Sequence, residues 1–185
     1  METKILISGF GGQGMMRLGK IIAQAALMDG KQITGFPSYG AEMRGGTAHC
    51  FIKISTASIA SPFIDYPDIA IILNQPSLDK FKSRLKKGSL VILNSDLINN
   101  ESLNKNIRKV SLPLNTIALD CGSIKVANIV ALGVLVSVLP KFLKESLVSK
   151  ALKQAFGNKN IWEQNLKAYH AGQNIASKEG LCVKS

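Results

Sequence analysis

Glycines 9, 11 and 14, in the stretch Gly9-Phe-Gly-Gly-Gln-Gly14, follow directly on the apolar run Ile5-Leu-Ile-Ser8. The spacing G-x-G-x-x-G between a strand and a helix points to anion chemistry. Backbone N–H groups at a helix N-terminus converge on a phosphate, aided by the helix dipole, and a side chain at the turn would block the approach. The same spacing also serves where glycines only let a helix pack closely on a strand, so two readings stand. A nicotinamide or flavin site makes a further demand, an acid at the end of the second strand, about 20 residues on, to bond the ribose. Here that strand ends in Gly35-Phe36-Pro37-Ser38, and Asp29 precedes it in a helix-ending Asp-Gly turn. A Walker loop fails as well, because no Gly-Lys-Ser/Thr closes the turn, although Gly19-Lys20 puts an amine about two turns into the helix. NAD, FAD and ATP hydrolysis are therefore disfavoured, while phosphate binding is retained.

A second loop, Tyr39-Gly-Ala-Glu-Met-Arg-Gly-Gly46, surrounds one acid, Glu42, and one guanidinium, Arg44, with glycines. A doubly wound sheet places its strand-end crevice at such a loop. Arg44 is suited to hold a carboxylate or phosphate bidentately, with Glu42 orienting it; the alternative is an internal Glu–Arg pair that pins the loop.

The elements that must position these loops alternate. Strands are expected at 4–8, 32–36, 47–54, 69–73 and 90–93, with helices at 14–28 and 76–86 between them. From Pro113 onward the pattern turns helical, over 115–121, 127–139, 144–156 and 161–176, with breaks at Gly122, Pro140 and Gly157. This predicts a single α/β domain over residues 1–185, a Rossmann-like open and mostly parallel sheet with helices on both faces and a helical C-terminal part. The nearly all-apolar stretch from Val126 to Leu139 is too short for a membrane span and reads as a helix in the core or under a partner chain.

Composition narrows the function classes. The 185 residues are 46% hydrophobic, enough for one domain with a real core. No apolar run approaches the ~18 residues that a membrane helix needs, and no signal-peptide pattern follows Met1, so a cytoplasmic protein without membrane contact is expected. The net charge of +11 invites a nucleic-acid reading, but the basic residues are scattered and aromatics are only 6% of the chain, too few for a base-stacking platform. The basic groups read instead as solvated helix faces or contacts to an acidic partner. Cys50, Cys121 and Cys182 lie far apart, none in a C-x-x-C pair, so no metal or iron–sulfur site is expected within this chain.

Taken together, GFGGQG at 9–14, PSYGAEMRGG at 37–46, SP at 61–62, Pro67-Asp68, LNQPSLDKF at 73–81 and VANIVALG at 126–133 give a chain that resembles the gamma subunit of the 2-oxoacid:ferredoxin oxidoreductases. The matching blocks end before about Lys141. The resemblance implies a subunit inactive alone, working with alpha, beta and delta subunits in the oxidative decarboxylation of a 2-oxoacid such as pyruvate or 2-oxoglutarate to an acyl-CoA, with electrons passed to ferredoxin. It assigns thiamine diphosphate, Mg and [4Fe-4S] clusters to the partner subunits, and to this chain a place near coenzyme A. Gly11, Gly12, Gln13 and Gly14 would then cradle phosphate, Lys20 would be a charge partner, and Glu42 and Arg44 would face coenzyme A or the thiamine-bearing chain. Association is expected through loop 37–46 and part of 126–139, with self-association when the chain is isolated. The competing functions are a free-standing Rossmann-like nucleotide-binding enzyme, which the missing strand-end acid disfavours, and a nucleic-acid-binding module.

Overall fold

The computed structural model describes residues 2–38, 47–99, 102–157 and 159–182. Strand β1, Glu2–Phe10, enters the glycine turn and is followed by helix α1, Met15–Met28. Strands β2, Gln32–Ser38, and β3, Thr47–Ser55, come next, then β4, Ile69–Ile72, helix α2, Gln75–Phe81, and β5, Leu90–Asn94. Strand β6, Arg108–Leu112, precedes helices α3, Leu114–Asp120, α4, Ala127–Val138, α5, Glu145–Ala155, and α6, Lys159–Lys178.

The six strands form one sheet in the order β2-β3-β1-β4-β5-β6. Strands β1, β4, β5 and β6 pair in parallel, while β3 runs antiparallel to both β1 and β2. The architecture is thus the expected Rossmann-like one, with two differences. First, β2 does not lie beside β1; the hairpin folds β3 into that place, with Phe10 opposite Thr47 and Ser8 opposite His49. Second, β6 joins the sheet where no strand is predicted, because Arg108 and Lys109 are exposed at its start and mask the short apolar alternation of Val110 and Leu112. Helix α2 is also shorter than the predicted 76–86. Asn74 caps it, its Oδ1 accepting from Ser77 N–H at 2.9 Å, and after Phe81 the chain tightens into a 3₁₀ turn over Lys82–Arg84.

Alternate residues along the strands divide the core into two layers. Ile5, Ile7, Ile52, Ile71 and Ile92 face the layer that α1 and the C-terminal helices fill, whereas Leu6, Phe51, Ile72, Val91 and Leu93 face α2 with Leu78 and Phe81. Helices therefore cover both faces, unequally.

Helix α4 has buried residues on all sides, including Ile129, Val130, Leu132, Val134 and Leu135 at 0% exposure. A helix apolar all round belongs inside a protein, and here this chain's own α1, α3 and α6 enclose it. The expectation that part of 126–139 forms an association surface is corrected accordingly. Large apolar side chains are exposed elsewhere, at Phe63 and Tyr66 in the β3–β4 connection and at Leu119, Ile124 and Ile161.

Helices α4 and α6 cross backbone against backbone. A Cβ on Gly133 would strike the carbonyl of Tyr169, and one on Gly172 would strike the carbonyl of Val130. No rotamer change relieves a clash with a main-chain oxygen, so the helices must part. Gly133→Ala and Gly172→Ala are each expected to destabilise the fold by about 1–3 kcal/mol or more, read as a lowered urea midpoint. The two losses are expected to be less than additive, because one separation of the helices accommodates both methyls.

Candidate functional site

Helix α1 leaves β1 on one face of the sheet and α2 leaves β4 on the other, so the crevice between these neighbouring strands is a topological switch point. The glycine turn occupies it. Gly12 and Gly14 take left-handed backbone angles, with φ of 91° and 77°, which other residues adopt only with strain. Gly14 is the N-cap of α1, and its carbonyl accepts the first helical bond from Leu18 N–H at 2.9 Å. Having no side chain, Gly14 leaves the cap open. Among the described residues the backbone N–H groups of Gly11, Gly12, Gly14, Met15, Met16 and Arg17 have no acceptor, as the first amides of a helix do not unless a cap or ligand supplies one. Gly11 and Gly12 are exposed, and nothing lies within 4 Å of the position of a Gly12 Cβ.

Gln13 has a different place from the glycines around it. Its N–H donates to Phe10 O at 3.2 Å, and its Oε1 accepts from Phe10 N–H at 2.6 Å and from Asn74 Nδ2 at 3.4 Å. Both ends of the residue are committed to the turn. Asn74 in turn caps α2, so the turn after β1 and the turn after β4 are locked together across the switch point.

A third segment joins from α4. Asn128 Nδ2 donates to Gly14 O at 3.0 Å. Gln13, Asn74 and Asn128, from three separate sequence blocks, therefore meet at one turn. Sequence reasoning quoted LNQPSLDKF and VANIVALG but singled out neither asparagine; an amide side chain at the start of each predicted helix was the available signal.

Lys20 is exposed and stands six residues past the cap, about 9 Å farther along the helix axis. Arg17 is nearer to the turn, with its guanidinium 5.3 Å from the centroid of the Phe156 ring. Glu42 and Arg44 lie outside the described residues. The flanks of their loop, Ser38 and Thr47, belong to strands whose paired ends reach the sheet edge that carries the glycine turn. Behind the turn, Gly19 lets α1 settle on β3, since a Cβ there would stand 3.0 Å from Cys50 Sγ. Burial pushes the Cys50 thiol up to about 11, which keeps it protonated and unreactive at neutral pH.

Among the described residues the strand beside β1 supplies no dinucleotide-binding acid, for a structural reason. In a nicotinamide fold the strand beside β1 runs parallel and delivers an acid at its C-terminal end. Here that neighbour is antiparallel β3, which presents its beginning, Thr47-Ala48-His49, to this edge. A cavity of about 680 Å³, lined in part by Ile54, Leu90, Leu139 and Phe142, opens at the opposite edge of the sheet, away from the turn. Among the described residues no three His, Cys, Asp or Glu side chains gather as a metal-ligand set, and no helix is long and apolar enough to cross a membrane.

Fold and turn together define an α/β protein with an open helix N-terminus at a switch point of its sheet. Residues 4–175 match the family of pyruvate ferredoxin/flavodoxin oxidoreductases, and the chain belongs to that family. It is 36% identical over 178 residues to the ketoisovalerate oxidoreductase subunit VorA of Methanothermobacter marburgensis, covering 96% of this chain and 37% of that protein. The chain thus spans little more than a third of the length of the first curated relatives it matches. Among solved structures, it resembles the gamma subunit of a keto/oxoacid ferredoxin oxidoreductase from Geobacter sulfurreducens, at 34% identity and a TM-score of 0.81, covering 95% of this chain and 99% of that one. The fold also matches 31% of a chain of the 2-oxoglutarate:ferredoxin oxidoreductase from Magnetococcus marinus, with 24% identity, a TM-score of 0.86 and 96% of this chain covered.

The inward use of Gln13 gives a test of the turn itself. Gln13→Ala leaves the Phe10 N–H and Asn74 Nδ2 without their shared acceptor in a half-buried place and is expected to lower stability by about 1 kcal/mol. Gln13→Glu restores an acceptor and is expected to recover most of that loss at neutral pH, measured by urea unfolding.

Proposed function

We propose that this chain is the gamma subunit of a 2-oxoacid:ferredoxin oxidoreductase, and that its glycine turn holds a phosphate of coenzyme A. The observation that carries the ligand reading is the set of six backbone N–H groups without an acceptor, at Gly11, Gly12, Gly14, Met15, Met16 and Arg17, at the open N-terminus of α1 on a switch point. The donor set fits a phosphate, because it consists of amides and a helix dipole with free space over Gly12. The solved relative from Magnetococcus marinus was obtained with coenzyme A bound, which supports this choice of ligand.

In this reading the chain binds and orients, and the partner subunits carry the redox and carbanion chemistry through thiamine diphosphate, Mg and [4Fe-4S] clusters. The three thiols here suit that division. Cys50 is buried in β3, Cys121 follows α3 and Cys182 lies beyond α6 beside Ser177, so they do not form a cluster-ligand set. Gly11, Gly12 and Gly14 offer amides to the phosphate, Gln13 keeps the turn in shape, and Lys20 adds positive charge farther along the helix. Glu42 and Arg44 act on the ligand or on the thiamine-bearing chain. Alpha, beta and delta subunits complete the complex, which hands electrons to ferredoxin in the cytoplasm.

The purified chain alone is expected to show no coenzyme A-dependent reduction of a viologen dye with pyruvate, 2-oxoglutarate or 2-oxoisovalerate; any turnover by it would end the subunit reading. In the complex assembled with its partner subunits, Gly12→Val is expected to raise the KM for coenzyme A by more than tenfold, because the side chain fills the approach and strains the left-handed turn. Lys20→Ala removes a positive charge from an exposed position farther along the helix and is expected to raise it less, by about tenfold at most. An unchanged KM in both variants, in a complex that assembles normally, would make the turn a packing device.

A further inference from the structure

Asn128 is 3% exposed at the second position of α4, and its amide is only half used. Nδ2 holds the Gly14 carbonyl, as described. Oδ1 is buried, has no hydrogen-bond partner among the described residues, and lies 3.7 Å from where a Cβ on Gly14 would stand. A buried amide oxygen without a donor is unfavourable and calls for a partner. The fold keeps the amide all the same, and the bond that Nδ2 makes to the N-cap of α1 is what it gains.

We propose that Asn128 is a positioning residue of the glycine-turn site: Nδ2 fixes the left-handed Gly14 peptide at the mouth of α1, so that the neighbouring backbone amides keep their aim at a bound phosphate. This rests on the reading that the turn binds phosphate. It also gives a reason for an amide here instead of another apolar side chain, in a helix whose only other polar side chain is Ser137.

The test compares Asn128→Leu, Asn128→Asp and Gly12→Val in the assembled complex, measuring KM for coenzyme A and kcat separately. Leucine keeps the volume and removes the hydrogen bond to Gly14; aspartate turns a second oxygen against the Gly14 carbonyl and adds negative charge beside the phosphate. The expected result is a rise in KM of about five- to tenfold for leucine and clearly more for aspartate, with kcat within about twofold of the parent in both. The excess for aspartate should shrink as salt is raised. If Gly12→Val raises KM while neither Asn128 variant does, the positioning role is wrong and the phosphate site stands. If none of the three changes KM, both readings fall. Equal losses of kcat without a KM effect, or failure of both Asn128 variants to assemble, would make Asn128 a packing residue and overturn the proposal.

Discussion

The structure turns on how an open loop is kept in place. The turn after β1 contains two left-handed glycines, is largely open to solvent on its outer side, and would relax readily if only its own backbone held it. Two amide side chains prevent this. Gln13 reaches back to the N–H of Phe10 and sideways to Asn74, and Asn128 takes the carbonyl of Gly14 from the other side. Each is a bond of modest net worth, about 1 kcal/mol when both partners are satisfied, but together they attach one turn to β4, α2 and α4. A site made of backbone amides needs such outside support, because amides have no rotamers with which to compensate for a misplaced peptide.

This arrangement also accounts for the spacing of the sequence blocks that suggested the family. GFGGQG, LNQPSLDKF and VANIVALG are separated along the chain and meet at the switch point through Gln13, Asn74 and Asn128. Pro67-Asp68 has a comparable structural task at the other edge. Asp68 Oδ2 accepts from Lys4 N–H at 2.9 Å and its own N–H donates to Lys4 O at 2.8 Å, tying the start of β4 to the start of β1. Residues that read as chemistry in the sequence thus divide into glycines that leave amides exposed and polar side chains that hold those amides still.

The sequence made the fold class legible because residues 5–7, 69–72 and 90–93, at the hearts of β1, β4 and β5, are short apolar runs, and because α1 and the C-terminal helices carry regular stripes or breaks at Gly and Pro. It hid β6, where only Val110 and Leu112 are deeply buried in a strand that begins with two exposed cations. It also hid the antiparallel insertion of β3, since a strand's direction depends on its partners and not on its own composition. The apolar stretch in α4 was readable as a buried segment, but whether its own chain or another covered it depended on α6, whose Gly172 allows the close crossing. At the site, the glycines were visible from their spacing. The inward turn of Gln13 and the half-used amide of Asn128 were not, because a side chain's hydrogen-bond partner many residues away leaves no local pattern.

Placing β3 beside β1 has a consequence for the order of events during synthesis. Strand β1 is central in the finished sheet, yet both of its neighbours, Thr47–Ser55 and Ile69–Ile72, are translated after it. Glu2–Phe10 therefore spends the translation of those segments as an unpaired apolar strand, able to pair with the wrong partner or with another nascent copy. Loop closure must precede any reward from these contacts, which slows folding in proportion to how non-local they are. Helix α1 can form early and shield one side of Ile5 and Ile7, so the same helix that supplies amides to the mature site also acts as the strand's first cover.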